Sequence, residues 1–587
     1  VSAKDERRAL EPRPTLLTLA KRLHQLTPDG PLPPDSHGLQ QGAGRCRSDD
    51  VETVLAAHFD DPETARQPDR LHGTGRRLID NGADVRTVDT GLALLEGRVE
   101  PEDAEAIRLL GLLPCFTGRA AALLSGLPDA ATELIWLADR APAAYLTRVV
   151  EALCAQPGPA PRDWLLHGFR PGGISPLYPS LARTIADRLD LPAVLADPAL
   201  DEDALERVGL VLAAMTQSND YRPAILGYPQ ARETYAAFAS RAHLLSPSMT
   251  RYALLLSLVL DLESGHSRLL PRLPGDDRQI VGRLRDVLAQ RAWRETRRAA
   301  RGSDDRLDRW RADWARRTLR TLAATEGARS EAPMPEAGVS LFQLQIVELD
   351  PGAQGGVETR VLIDGFPVLA AAFQRGRPHP PGVLLDTGIL HATTEPREVQ
   401  LAEAWCTEGC CGALHVTVVR EGDAVVWRDW RRPPEPAGRT PGPELPAYRF
   451  DAAQYEAELA RAARGRLWEW PTLTAARLLR ARLGQEPELM ARWHCAPGWI
   501  GSHYDDRDLL DISFICRRPA PDGADEHWLQ FVWAVPVTGE APPQAVVDAV
   551  ASGLAGANPT GWSRLVGGSR AAAEALGFPA PGPPPDA

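Results

Sequence analysis

Two hydrophobic periods divide this chain, and they constrain what it can fold into more than any other feature. From about residue 49 to 325 apolar residues recur three and four positions apart, as at Leu205, Val208, Leu212 and Met215. That spacing places them on one face of a helix. Asp103 to Leu113, Thr117 to Leu127, Ala130 to Arg140, Ala144 to Ala155, Ser180 to Leu189, Glu202 to Met215 and Pro247 to Leu262 read as successive short helices. Turns containing Pro, Gly or Asp separate them. Beyond residue 338 the period becomes two: Phe342, Leu344 and Ile346 alternate with Gln343 and Gln345, as in a half-buried strand. The change of period predicts a multidomain α plus β protein. We expect an N-terminal all-α solenoid-like region, a central antiparallel β-sandwich or barrel, and a small C-terminal α+β module.

Breaker residues set the boundaries. Residues 1–48 hold a short helix, Leu16 to Leu26, and a flexible segment; 49–325 are helical; 326–338 form a linker. The β-rich module runs over 339–432, a Pro-rich linker over 433–447, the α+β module over 448–578 and a tail over 579–587. In the β-rich part, Asp364-Gly365 signals a tight hairpin turn. Val399 and Leu401 lie on one strand, and Leu414, Val416 and Val418 on the next. In the last module Asp451 caps a helix that stops at Gly465, and Thr472 to Leu483 form a second. Leu510, Ile512, Phe514 and Cys516 then alternate as a strand, with Trp528 to Val535 placed to pair with it.

The run of short helices resembles HEAT and armadillo proteins, whose repeats span about 40–47 residues. The resemblance is one of architecture, since no consensus repeats cleanly. It implies a concave surface for a protein partner.

Composition excludes several chemistries. Lysine stands only at positions 4 and 21 of 587, in a chain otherwise rich in Arg, Ala, Gly and Pro. Neither lysine sits in a Walker phosphate loop, and neither is placed for a Schiff base or for the kinase phosphate contact. The net charge of −12 argues against a surface that binds nucleic acid throughout. The first residues lack the apolar run of a secretory signal, and Ala253 to Leu262 is too short to span a bilayer. These features lead us to expect a cytoplasmic protein, no membrane contact and reduced thiols.

The stretch richest in chemistry is Glu403 to His415, with Cys406, Cys410 and Cys411 between glycines. Three readings apply. The thiols can be small buried hydrophobes beside a bulge or tight turn. They can bind zinc, with His391, His415, His494 or Cys495 as further ligands, although Cys-x3-Cys-Cys is no paired zinc knuckle. Or one of them can be a reactive thiolate. The run Cys-Thr-Glu-Gly-Cys-Cys-Gly-Ala-Leu at 406–414, with Val426-Trp427-Arg-Asp-Trp430-Arg after it, resembles uncharacterised actinomycete proteins. That resemblance implies a bacterial setting and no particular activity.

A second charged feature lies at Val281 to Arg320, where thirteen arginines face six acids and Trp293, Trp310 and Trp314 are interleaved. Guanidinium and indole together suit phosphate and bases, with Arg294, Arg297 and Arg298 as candidate nucleic-acid contacts. The simpler expectation is a solvated helix face with ion pairs among Asp304, Asp308 and Arg311, the tryptophans pointing inward. Gly501 to Asp511 gathers His503 and several acids without matching any cation-loop spacing, and reads as a solvated turn. Ser569 after Gly567-Gly568 has no evident strand before it and reads as a helix cap. Trp427, Trp430, Trp468 and Trp470 suit either a core or an interaction surface. Taken together, the sequence favours a non-enzymatic scaffold that binds a protein partner. Zinc or thiol chemistry at the cysteines and nucleic-acid binding at 281–320 are the alternatives.

Overall fold

A computed structural model describes residues 15–28, 68–141, 145–168, 178–217, 224–271, 276–331, 338–353, 356–373, 376–404, 412–432, 444–503, 505–518, 527–537 and 541–578. The chain divides into two compact units, residues 1–247 with 261–289, and residues 248–260 with 290–587. It is an α+β protein; the described residues form three antiparallel sheets, all in the second unit. Among the described residues no helix is long and apolar enough to cross a membrane.

The first unit is helical for the reason its period implies. In Glu202–Met215 the Asp201 carboxylate caps the Ala204 amide, and Leu205, Val208, Leu212 and Met215 are buried. This helix packs on Pro179–Leu189 and on Ala231–Arg241, so its apolar stripe is shared with neighbours close in sequence.

In the second unit, strands β1 (Phe342–Glu348), β2 (Val357–Ile363) and β3 (Phe366–Pro367) form one sheet. Asp364 and Gly365 turn β2 into β3 with φ of 53° and 75°. Two successive positive φ values are what a tight hairpin turn requires. Strands β4 (Gly376–Pro378), β5 (Arg397–Ala404), β6 (Ala413–Glu421), β7 (Ala424–Arg431) and β8 (Tyr448–Asp451) form a second sheet in sequence order. Both sheets drain into one core, where Phe342, Trp427, Phe450 and Tyr455 meet edge-on and tilted. Tyr455 donates to Leu390 O at 2.7 Å and accepts from Trp427 Nε1 at 3.3 Å. Thus β8 and the helix Ala452–Arg464 pack into the β-rich core, on the far side of the Pro-rich segment. That segment joins β7 to β8, which pair antiparallel, and the β-rich module continues past the expected boundary at 448.

The third sheet contains β9 (Cys495–Ser502), β10 (Leu509–Arg518), β11 (His527–Pro536) and β12 (Arg564–Gly568), in the order β12-β11-β10-β9. The helices Pro471–Gln485 and Pro543–Gly556 bury Leu479, Val547 and Val550 against Leu510, Ile512, Phe514 and Phe531. A strand therefore does precede Ser569, hidden by its glycines. Ser569 itself caps the helix Arg570–Ala575 by accepting from Ala572 N. One expectation is corrected here. Cys495, counted above among the spare ligands, is bonded to Cys516 directly opposite it on β10, so this pair is not a pair of reduced thiols.

A buried ion cluster ties this unit together. The carboxylate of Glu348, at the end of β1, is 2 % exposed. Arg317 of the long helix Arg306–Glu331 grips it with two hydrogen bonds, at 3.0 and 2.7 Å. Arg507, from the β9–β10 connection, donates to the same carboxylate, and both guanidiniums lie against the Trp470 ring. Alongside, Arg311 grips Asp350 with two more bonds and Trp314 Nε1 donates to Glu348 O. Removing Glu348 takes away the carboxylate that two buried cations share. Glu348→Ala is expected to cost about 3–5 kcal/mol. Chemical denaturation checks this, and a loss below about 1 kcal/mol would mean that the cluster is not holding the unit.

Candidate functional site

The cysteines Cys406, Cys410 and Cys411 lie outside the described residues, between the end of β5 and the start of β6. The flanks of that hairpin are described. Gln400 and His415 sit opposite each other, Gln400 Nε2 contacts His379 Nε2 at 2.9 Å, and His415 Nδ1 has no hydrogen-bond partner among the described residues. Burial lowers the proton affinity of His379; Glu403 opposes this and His415 adds to it. Of the other proposed ligands, His391 is bonded to Glu456 at 2.7 Å and His494 stands in a left-handed turn. Among the described residues no group of three or more His, Cys, Asp or Glu is placed to hold a metal ion.

The Arg/Trp segment is largely spent on structure. Trp293 and Trp314 are buried, Arg306 pairs with Asp506 at 2.6 Å, and Trp310 Nε1 donates to Asp508 at 3.1 Å. The expected partnership of Arg311 with Asp308 gives way to Asp350, because Arg311 turns toward the end of β1. Of the three candidate nucleic-acid contacts, Arg297 lies over the Tyr252 ring, 5.8 Å from its centroid, while Arg294 and Arg298 are exposed. Trp427, Trp468 and Trp470 are core residues.

The stretch Gly501 to Asp511 is not the solvated turn it resembled. Arg507 is buried on Glu348, and Asp506 and Asp508 are engaged by Arg306 and Trp310. His503 N donates to Leu509 O at 2.9 Å and Val537 N to Asp508 O at 2.7 Å, which fixes the connection at both ends. The connection delivers His503 and Asp511 to a cleft of about 750 Å³, lined also by Val532, Trp533, Ala549, Trp562 and Arg564. The cleft exists because β12 starts at Arg564, opposite Val532, so that Trp533 and Ala534 of β11 are paired with β10 on one side and have no β12 residue on the other. The helix Pro543–Gly556 closes one side. Trp562 packs edge-on against Trp533, with ring centroids 5.6 Å apart.

Asp511 lies at the floor. It is 5 % exposed, and its Oδ1 is buried with no hydrogen-bond partner among the described residues. Burial raises its pKa above the ordinary carboxyl range, with His503 and Arg564 pulling the other way. The His503 ring is oriented by its own turn, since Nδ1 accepts from the Asp505 amide at 3.1 Å. In the neutral ring the proton therefore sits on Nε2. The cleft offers an acceptor, an imidazole N–H, a guanidinium and two indole walls; among the described residues no Ser, Thr, Cys or Lys lines it. Its one sequence signal was an acid set on the alternate face of an apolar strand, Leu510-Asp-Ile-Ser-Phe. Trp562 and Arg564 carried none. Set against known protein families, curated proteins and solved structures, the chain matches none.

The raised Asp511 has a consequence for stability. The folded protein holds that proton at pH values where the unfolded chain has released it. Its contribution is complete below the ordinary value of about 3.9 and is lost as pH rises through the raised folded value. Asp511→Asn removes this loss. The melting temperature of the variant relative to wild type is expected to rise between about pH 4 and about pH 7, followed by thermal melts; a pH-independent difference would contradict it.

Proposed function

We propose that the chain is a non-catalytic binding protein whose C-terminal module takes a planar, hydrogen-bond-donating group with a negative charge nearby. One observation carries this reading: Asp511 Oδ1 is buried and unpartnered at the floor of an aromatic-walled cleft. An unmade hydrogen bond at a buried acceptor costs about 1–3 kcal/mol, so a ligand N–H that completes it is strongly favoured there. His503 Nε2–H supplies the matching donor, and Arg564 suits an anionic substituent. Among the described lining residues there is no hydroxyl, thiol or amine nucleophile, and the proposal is confined to binding. Capture of a protein partner by the helical unit belongs to the same scaffold reading, supported by its successive amphipathic helices. The Cys495–Cys516 bond favours an oxidising compartment over the cytoplasm.

Titration with neutral and anionic planar heterocycles tests the cleft. At least one is expected to bind with a Kd that rises about tenfold or more in Asp511→Asn and in Trp562→Ala, about 1.4 kcal/mol. Ligands indifferent to both substitutions would sink the reading.

Zinc at Cys406, Cys410 and Cys411 is a second reading, favoured by the unpartnered Nδ1 of His415 on the flank of the same hairpin. About one zinc per purified chain, lost together with thiol protection on chelation, is expected on this reading; metal-free protein with the same thiol protection would reject it.

A further inference from the structure

Among the described residues, the helices that pack on the third sheet bury its apolar side. Its apolar residues Leu510, Ile512, Phe514 and Phe531 face the helices, and the pleat sends the alternate positions to the opposite face. That face is not wholly bare, since Asp511 and Ser513 on it are buried. It bears Trp499 of β9, 51 % exposed, and Trp528 of β11, 49 % exposed, two large indoles left half in solvent. Between them Gln530 Nε2 donates to Ser513 Oγ at 3.0 Å, which gives a neutral polar floor. The charge on this sheet is one-sided. Across its four strands the only acid is Asp511, which is buried, whereas Arg517 and Arg564 are exposed on the open face. In a chain of net charge −12 this is a local reversal of sign. Arg564 and Asp511 also line the cleft, so the open face and the cleft are one continuous surface.

We propose that this face binds single-stranded nucleic acid, with one base entering the cleft and others stacking on Trp499 and Trp528. The proposal rests on reading the cleft as the ligand site, and it names the ligand. Each element has a chemical counterpart. A base edge that combines N–H donors with a carbonyl matches Asp511 and the Nε2–H of His503. Indole faces accept any base, and exposed guanidiniums follow the phosphates. The two indoles stand two strands apart and four residues along, about 10 Å across and about 13 Å lengthwise. They therefore serve separate bases along a strand rather than the two faces of one base. A duplex, whose bases are already stacked and paired, has none to offer them.

Fluorescence anisotropy of a labelled single-stranded oligonucleotide of about ten nucleotides, titrated with the full chain at low salt, tests this. Binding is expected, weaker for the matching duplex, with Kd rising about tenfold in Trp499→Ala and in Trp528→Ala. In Arg517→Ala the slope of log Kd against log salt is expected to fall by about one. Both tryptophans are half-exposed, and unchanged melting temperatures confirm that the variants fold. The proposal is overturned if the single strand does not bind, if the duplex binds as well, or if both Trp variants bind like wild type. It is also overturned if binding is lost instead in Arg294→Ala/Arg298→Ala, which places the contact on the helix Arg291–Ala299. A planar heterocycle that still binds in an Asp511-dependent manner while oligonucleotides fail leaves the cleft as a small-ligand site and removes only the nucleic-acid assignment.

Discussion

The second unit depends on a single buried carboxylate. Glu348 ends β1 inside protein, where an isolated negative charge is prohibitively costly, and two guanidiniums from distant parts of the sequence make its burial tolerable. Arg317 comes from the long helix before the β-rich part and Arg507 from the turn before β10. Both arginines converge on the one carboxylate, so helix, sheet and turn are tied in one mutual arrangement. A hydrophobic contact of the same area tolerates sliding; a carboxylate shared between two planar forks does not. Trp470, stacked under both guanidiniums, adds cation–π attraction and excludes water from the cluster.

The arrangement matters for the cleft because Arg507 lies midway between His503 and Asp511. Once its side chain is locked on Glu348, the connection on either side has little freedom. Its backbone bonds from His503 to Leu509 and from Asp508 to Val537 close the remaining slack. A turn rich in Asp and Gly ordinarily moves on the surface. Here its described residues are tied by backbone and side-chain bonds, which orient the His503 imidazole and lead into β10, where the Asp511 carboxyl stands. That preorganisation lowers the entropy cost of binding.

Much of the fold was legible in the sequence because it follows from period. The helices of the first unit, the Asp364-Gly365 hairpin and the pairing of β10 with β11 all come from local rules that tertiary contacts reinforced. The failures share one cause, which is that a local pattern does not record its partner. The Pro-rich run looked like a boundary between modules, but the aromatic side chains Phe450 and Tyr455 beyond it belong with Phe342 and Trp427 before it. Arg311 looked satisfied by Asp308 one helical turn away and is satisfied by Asp350, thirty-nine residues away. Cys495 and Cys516 sat in unrelated contexts until two strands set them side by side.

Asp511 illustrates why functional chemistry is harder to read than fold. Within Leu510 to Cys516 it breaks the apolar alternation only by occupying the face that alternation leaves unassigned, so a solvated acid and a buried one give the same sequence signal. What distinguishes them is the company of His503, Trp533, Trp562 and Arg564, brought in by strand register, by the early start of β12 and by a helix end. A chain selected for stability alone would pair that carboxylate or replace it with an apolar residue, since a buried acceptor without a donor costs free energy in every molecule. The unmade bond, in a module that satisfies a carboxylate as deeply buried as Glu348, is the observation on which the proposed binding site rests.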